Sequence, residues 1–277
     1  MATETAAPPR HTARRSPAGR RSRSLSGWLL QDNVLRVIVV ALLIAGVELL
    51  CRIGVIQATT MIPPSAMASH AWTLLQNGKF DHDIVSSLFN IGVATVLAVL
   101  LGFTCGLFVH TVPPLRAALE PLLASYYAVP TFIFYPVFIV VLGVGAAPII
   151  AIAVLLAIVT MITATLNGLD RIPRALHKTA RVLRLSPWQS AVRVKLPAAL
   201  PHLFTGVKLV VAYAFIGVIA SEFILSGSGI GYAIGYAYNN FENDDMYALM
   251  FLVLTTVTLV NMVLNTLDRR LQSRLHR

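Results

Sequence analysis

Charge is scarce in these 277 residues: Asp, Glu, Lys and Arg together make up 12%, against 56% apolar residues, and the mean hydropathy is +0.73. So little charge cannot clothe the surface of a soluble domain, which excludes one and leaves a polytopic membrane protein. Acids are the scarcer sign, 12 against 22 bases, for a net charge of +10. In a soluble chain that excess would point to nucleic acid. Here the cations sit between apolar runs, as membrane topology demands, so no nucleic-acid partner is expected. Only two cysteines occur, Cys51 and Cys105, both inside apolar runs and without neighbours at metal-ligand spacing, so inert buried residues are expected and a thiolate metal site is excluded. The seven histidines are scattered, with no HExxH and no Ser–His–Asp grouping on one span. Neither a catalytic site nor a metal site is expected.

Long apolar runs are what the chain does have. Crossing ~30 Å of hydrocarbon takes about 20 helical residues, and runs of that kind fall near 33–53, 85–109, 121–143, 146–167, 202–225 and 246–267. They predict an all-α membrane protein with six transmembrane helices in a domain from 27 to 277, behind a disordered basic arm at 1–26. Six Lys and Arg lie in that arm, one in 110–120, seven in 168–204 and four after Asp268, whereas the alternate segments hold only Arg52 and Lys79. The bias places both termini and the 168–201 insert in the cytoplasm.

Several features within the spans bear on how the helices pack and bend. Gly102 and Gly106 form a small-xxx-small pattern for close helix approach. Pro130 and Pro136 lie among aromatics in the third run and predict a kink, making that span a candidate wall of a pathway. Gly143-Val144-Gly145 is short enough to force a tight hairpin between spans three and four. On the fifth span Ala214, Gly217, Ala220 and Ser221 share a stripe ending in Glu222; it either packs on another helix or lines a narrow route, with Glu222 wet near the outer end.

The insert has a helical grammar of its own. Arg174, Lys178 and Arg181 recur at four- and three-residue spacing and fall on one helical face, with Leu176, Ala180 and Leu183 on another. Ser186-Pro187-Trp188-Gln189 then supplies an N-cap, a proline at the first helical position and a glutamine that closes a capping box. A second short helix is predicted from Pro187 to about Leu196, where Pro197 and Pro201 disfavour continuation without a kink.

A helix-turn-helix ending in Leu-Pro between the fourth and fifth spans resembles the EAA loop of binding-protein-dependent ABC importer permeases of the type I fold. The pattern E-A-A, three residues, G, nine residues, I, one residue, L-P falls on Lys178-Thr179-Ala180, Arg184, Val194 and Leu196-Pro197 with every spacing kept. Ala180, Leu196 and Pro197 match outright and Val194 conservatively, whereas Lys178, Thr179 and Arg184 depart. The arrangement looks closest to the nitrate, sulfonate and taurine group. Arginine in place of glycine at 184 costs ~1 kcal/mol in a left-handed conformation, so the turn is expected to stay right-handed. Lys178 in place of glutamate reverses one charge on the docking face. Either the partner has a compensating acidic cleft, or a second permease bears an ordinary loop.

The resemblance implies a permease subunit in a bacterial inner membrane. Two permeases, alike or different, would form the pathway, and an external binding protein would deliver a small anion such as a sulfonate, taurine or nitrate. A cytoplasmic ATPase dimer, which binds ATP and Mg, would receive the 178–197 loop, with Arg181, Ser186, Pro187 and Trp188 among the docking residues. No cofactor is expected in this chain. The alternative is an ATP-independent secondary transporter or channel, which would be expected to carry paired intramembrane charges or an inverted repeat.

Overall fold

The computed structural model describes residues 25–57 and 59–275, with the side chains of 25–33, Arg36, His177, Pro187, Leu225, Gln272 and 274–275 outside the description. The basic arm therefore lies outside the described residues through residue 24. Helix is the only regular structure among them: α1 (Leu25–Arg52), α2 (Pro64–Asn77), α3 (Asp81–Thr111), α4 (Pro113–Ser125), α5 (Tyr135–Leu142), α6 (Ala146–Asp170), α7 (Arg174–Val182), α8 (Pro187–Ser190), α9 (Leu196–Leu225), α10 (Ile230–Asn239) and α11 (Asn243–Leu275). Residues up to Leu49 form one unit and Leu50–Arg277 another. In the first unit α1 exposes apolar side chains such as Val37 and Leu43.

The second unit is built on α6, which packs along both α9 and α3. Gly102 and Gly106 serve this directly: a Cβ on Gly102 would sit 2.6 Å from Met161 Cβ, and one on Gly106 would sit 2.7 Å from Thr165 Cβ. Gly217 does the same for α9, with Ala153 Cα at 2.6 Å from any added Cβ. Ile152, Ala153, Ala214 and Val218 form the apolar centre where these helices meet. At one end α2 lays Ala71 and Leu74 against Ile230 and Ile234 of α10 and Leu249 of α11. Outward faces of α3 and α11 stay apolar, as at Phe89, Leu100, Leu254 and Met262. An apolar exterior suits helices bathed in lipid.

Among the described residues, four helices are long and apolar enough to cross a membrane: α3, α6, the run Trp188–Ile224 and the run Asn243–Leu271. The pair Pro113–Ala128 and Thr131–Leu142, bent by 92°, makes a fifth if it counts as one span. The predicted third span is therefore broken, and the described residues hold four or five such spans where six are predicted. The break is at Val129-Pro130; Pro136 opens α5 within its first two positions, where a missing N–H removes no bond, and bends nothing. The hairpin at 143–145 is as expected, with Gly143 and Gly145 at φ +81° and +138°. Cys51 is half-exposed and Cys105 exposed, so the expectation that both are buried is corrected.

Candidate functional site

The charged ends of the second unit differ in sign. One end, with the 171–196 insert, is basic; the other gathers Asp81, Asp83, Glu242, Asp244 and Asp245. At the acidic end Asp245 bonds His70 Nε2 at 2.7 Å and pairs with Lys79. The bond to Asp245 holds Lys79 above its ordinary pKa.

In the insert, α7 presents Arg174, Lys178 and Arg181 to solvent and buries Ala180. Thr179 is exposed, its hydroxyl bonded to Ala175 O at 3.1 Å. The helix stops in a Schellman turn: Arg184 N–H bonds Arg181 O at 3.0 Å, and Leu185 N–H reaches Ala180 O at 3.1 Å. Such a turn requires a left-handed residue after the cap, and Arg184 takes it at φ +49°. The expected right-handed turn is thus corrected: satisfying two terminal carbonyls outweighs ~1 kcal/mol of side-chain crowding.

The capping box forms as predicted. Ser186 N–H donates to Gln189 Oε1 at 3.1 Å, and Gln189 N–H donates to Ser186 Oγ at 3.2 Å. Pro187 opens α8. The second helix does not end near Leu196, however. Ala191–Lys195 form a π-turn in which Leu196 N–H bonds Ala191 O, five residues back. The extra residue re-phases the chain so that Pro197 stands in the first two positions of α9, where no donor is missed. Pro201 is then carried inside α9, and the fifth span begins well before residue 202. Val194 and Pro197 are half-buried at this joint and Leu196 lies at its edge.

The turn leaves a compact apolar patch among cations. Trp188 is 77% exposed, Val182 81% and Leu183 62%. Leu183 departs from the predicted buried face because it is the cap residue of α7. An exposed tryptophan on a rigid, capped corner is the anchor type that recurs at protein interfaces.

Of the two readings of the stripe on α9, the structure takes the packing one. Ala214 and Gly217 are buried against α6, and Ser221 is 1% exposed with no hydrogen-bond partner for Oγ among the described residues. Glu222 is fully buried, which corrects the expectation that it is wet. Its carboxylate accepts from Ser87 Oγ at 2.6 Å, Asn90 Nδ2 at 3.3 Å and Gly231 N at 3.2 Å. Ser87 Oγ in turn accepts from Ile230 N at 2.8 Å, and Gly229 N donates to Asp83 Oδ1 at 2.7 Å. Glu222 therefore ties the 226–231 loop to α3. The backbone approaches so closely that a Cβ on Gly231 would lie 2.2 Å from Ile219 O. Asp83, Ser87 and Asn90 escaped the sequence reading, although their spacing of four and three marks one polar face on an apolar helix. Pro130 is exposed beside the break, and Pro136 on α5.

A broken span, two long helices held at glycine contacts and a capped basic helix-turn-helix between them define the transmembrane domain of an importer permease of the type I fold. The chain belongs to the family of binding-protein-dependent transport system inner membrane components, which matches residues 98–277, more than half of its length. It is 27% identical over 272 residues to the nitrate import permease protein NrtB of Leptolyngbya laminosa, covering 95% of this chain and 94% of that protein. Over 187 residues it is 29% identical to the bicarbonate transport system permease protein CmpB of Synechococcus elongatus, covering 65% and 67%. A solved structure of the MetNI methionine ABC transporter in inward-facing conformations superposes with a TM-score of 0.60 at 20% identity, over 72% of this chain and 96% of that one. At that identity the likeness speaks for the fold alone. The relatives are transport permeases rather than enzymes.

Proposed function

We propose that this chain is the membrane subunit of an ATP-driven importer for a small oxyanion, and that the corner formed by α7, the Arg184 turn and α8 seats in a groove of a cytoplasmic ATPase. The observation that carries this is the corner itself: Val182, Leu183 and Trp188 stand exposed among Lys178, Arg181 and Arg184 on a turn fixed by two backbone–backbone and two backbone–side-chain hydrogen bonds. Attraction to lipid headgroups would need the cations but neither the Schellman turn nor the capping box. Closure of the ATPase, which binds the ATP and Mg, would move this corner and rock α9, to which the π-turn joins it without a hinge. A second permease, identical or not, completes the pathway, and an external binding protein delivers substrate at the acidic end. The basic end and both termini are cytoplasmic in the plasma membrane by the distribution of Lys and Arg. The break at Val129-Pro130 is the remaining gate candidate. The burial of Ala214, Gly217, Ser221 and Glu222 supports a scaffold role for them rather than a pathway one.

Relatives named for nitrate and bicarbonate support the oxyanion class. The test is uptake of labelled nitrate, bicarbonate and taurine by proteoliposomes holding the chain with its companion ATPase and binding protein. Uptake of nitrate or bicarbonate that stops without ATP is expected. Uptake indifferent to ATP would move the chain to the ATP-independent transporters.

A further inference from the structure

Towards the basic end, α6, α9 and Tyr127 line a half-open cavity of about 240 Å³ that carries polar side chains among apolar ones although both helices are transmembrane. On α6 the wall carries Thr160, Thr163 and Asn167, followed by Arg171, at spacings of three, four and four that keep them on one face, buried at Thr160 and open at Asn167 and Arg171. On α9 it carries His202 and Thr205. Nearer the acidic end the facing surfaces of the same helices become apolar, with Ile152, Ala153, Ala214 and Val218. The polar stripe is therefore confined to one half. Thr160 lies ten residues from Asp170, about 15 Å along the helix, so the cavity reaches roughly the middle of the hydrocarbon.

Polar side chains at that depth are costly against lipid and are retained where they line water or a ligand. Arg171 is exposed and its side chain makes no ion pair or hydrogen bond with a described residue, nor does the amide of Asn167. No carboxylate lines the wall; Asp170 next door is taken by Arg116, with Nη1 to Oδ1 at 2.8 Å and Nη2 to Oδ2 at 2.5 Å. The far end is closed by Tyr127, whose ring stacks on Tyr213 at 5.9 Å and whose hydroxyl shares one hydrogen bond with Thr160 Oγ1 at 3.2 Å. Two hydroxyls with one bond between them leave one O–H free to donate. Donors and a permanent cation without an acid form the chemistry of an anion site, and the planar guanidinium fork matches a planar oxyanion.

We infer that this cavity is an oxyanion station on the permeation route, with Arg171 as the charge at its mouth, Asn167 as a donor along its wall and the Tyr127–Thr160 pair as its closed end. The inference rests on the oxyanion reading of the substrate given above. Tyr127 stands two residues before the break at Val129-Pro130, so bending of the broken span displaces the closure and opens the station toward the acidic end.

The test places single cysteines at Asn167 and, as a second reporter, at Thr163, in a Cys51→Ser, Cys105→Ser background, within the assembled transporter in proteoliposomes. Rates of modification by an anionic and a cationic methanethiosulfonate are compared, with and without nitrate, in neutral phosphatidylcholine. A fixed cation beside a narrow aqueous site should favour the anionic reagent by about tenfold or more. That preference should vanish with Arg171→Gln, and nitrate should slow the reaction. No reaction at either cysteine, or equal rates with both reagents, overturns the station. A preference present only in vesicles with phosphatidylglycerol also overturns it, by assigning the cation to a lipid headgroup. The substrate reading fails separately: an Arg171-dependent preference that nitrate, bicarbonate and taurine all leave untouched keeps an anion site but rejects these anions as its cargo.

Discussion

Arg184→Gly should tighten the corner that carries the proposed docking surface. The wild-type residue is held at φ +49° by the two bonds of the Schellman turn. A side chain in that region costs roughly 1–2 kcal/mol relative to glycine, and about 0.5–1 kcal/mol of the relief is returned because glycine has more freedom in the open chain. A net gain of about 0.5–1 kcal/mol remains, which should slow exchange of the Leu185 amide, bonded to Ala180 O, by roughly two- to fivefold. Arg184→Gln is the control, since it removes the charge but keeps the β-carbon, and it should leave that exchange within error of wild type. Hydrogen exchange read by mass spectrometry over a peptide spanning 180–188 measures both. Equal or faster exchange in the glycine variant would refute the assignment of strain to this turn.

Loss of the Glu222 carboxylate strands the Ser87 hydroxyl, the Asn90 amide and Gly231 N–H in the interior. At about 1–3 kcal/mol for each stranded donor, Glu222→Ala should destabilise by at least ~3 kcal/mol in a detergent thermal-shift assay, and Glu222→Gln, which keeps an acceptor, by clearly less. Gly217→Ala pushes a methyl into Ala153 and should cost about 1–3 kcal/mol by the same assay, whereas at Gly46, where no atom lies within 4 Å, the same change should cost nothing measurable. The Arg116–Asp170 pair is bidentate but about a third exposed on each side, so a double-mutant cycle should give only about 0.5–1 kcal/mol, shrinking with added salt. If the ATPase lacks a compensating acidic cleft, Lys178→Glu should raise the coupling of hydrolysis to uptake; a lowered ratio would favour such a cleft.

The parts of this fold that composition dictates were legible in the sequence: apolar runs gave the long helices, and Gly102 and Gly106 marked where α3 meets α6. The capping box was legible too, because Ser186 and Gln189 satisfy each other within one turn. What stayed hidden depends on partners remote in sequence. Glu222 reads as wet until Ser87, more than a hundred residues earlier, closes over it. The break at Val129-Pro130 could be read as a kink, but its size depends on Tyr126 and Tyr127 finding Leu155 O and Thr160 on α6. Two further signals are local. Ile230, Ala233, Ile234 and Ala237 have the spacing of a buried helix face and form α10. Pro197 and Pro201 disfavour an unkinked continuation, whereas a single π-turn shifts the first of them to a position where its missing N–H is harmless.

The most direct test of the central claim is to purify the tagged chain from its own membranes in mild detergent, identify what co-elutes, and repeat with Arg181 and Trp188 both changed to Ala. A nucleotide-binding subunit that co-elutes with the wild-type chain and is lost from the double variant, with the variant still monodisperse, is the expected result. A chain that elutes without an ATPase, or a double variant that retains it undiminished, would contradict the docking role of the corner.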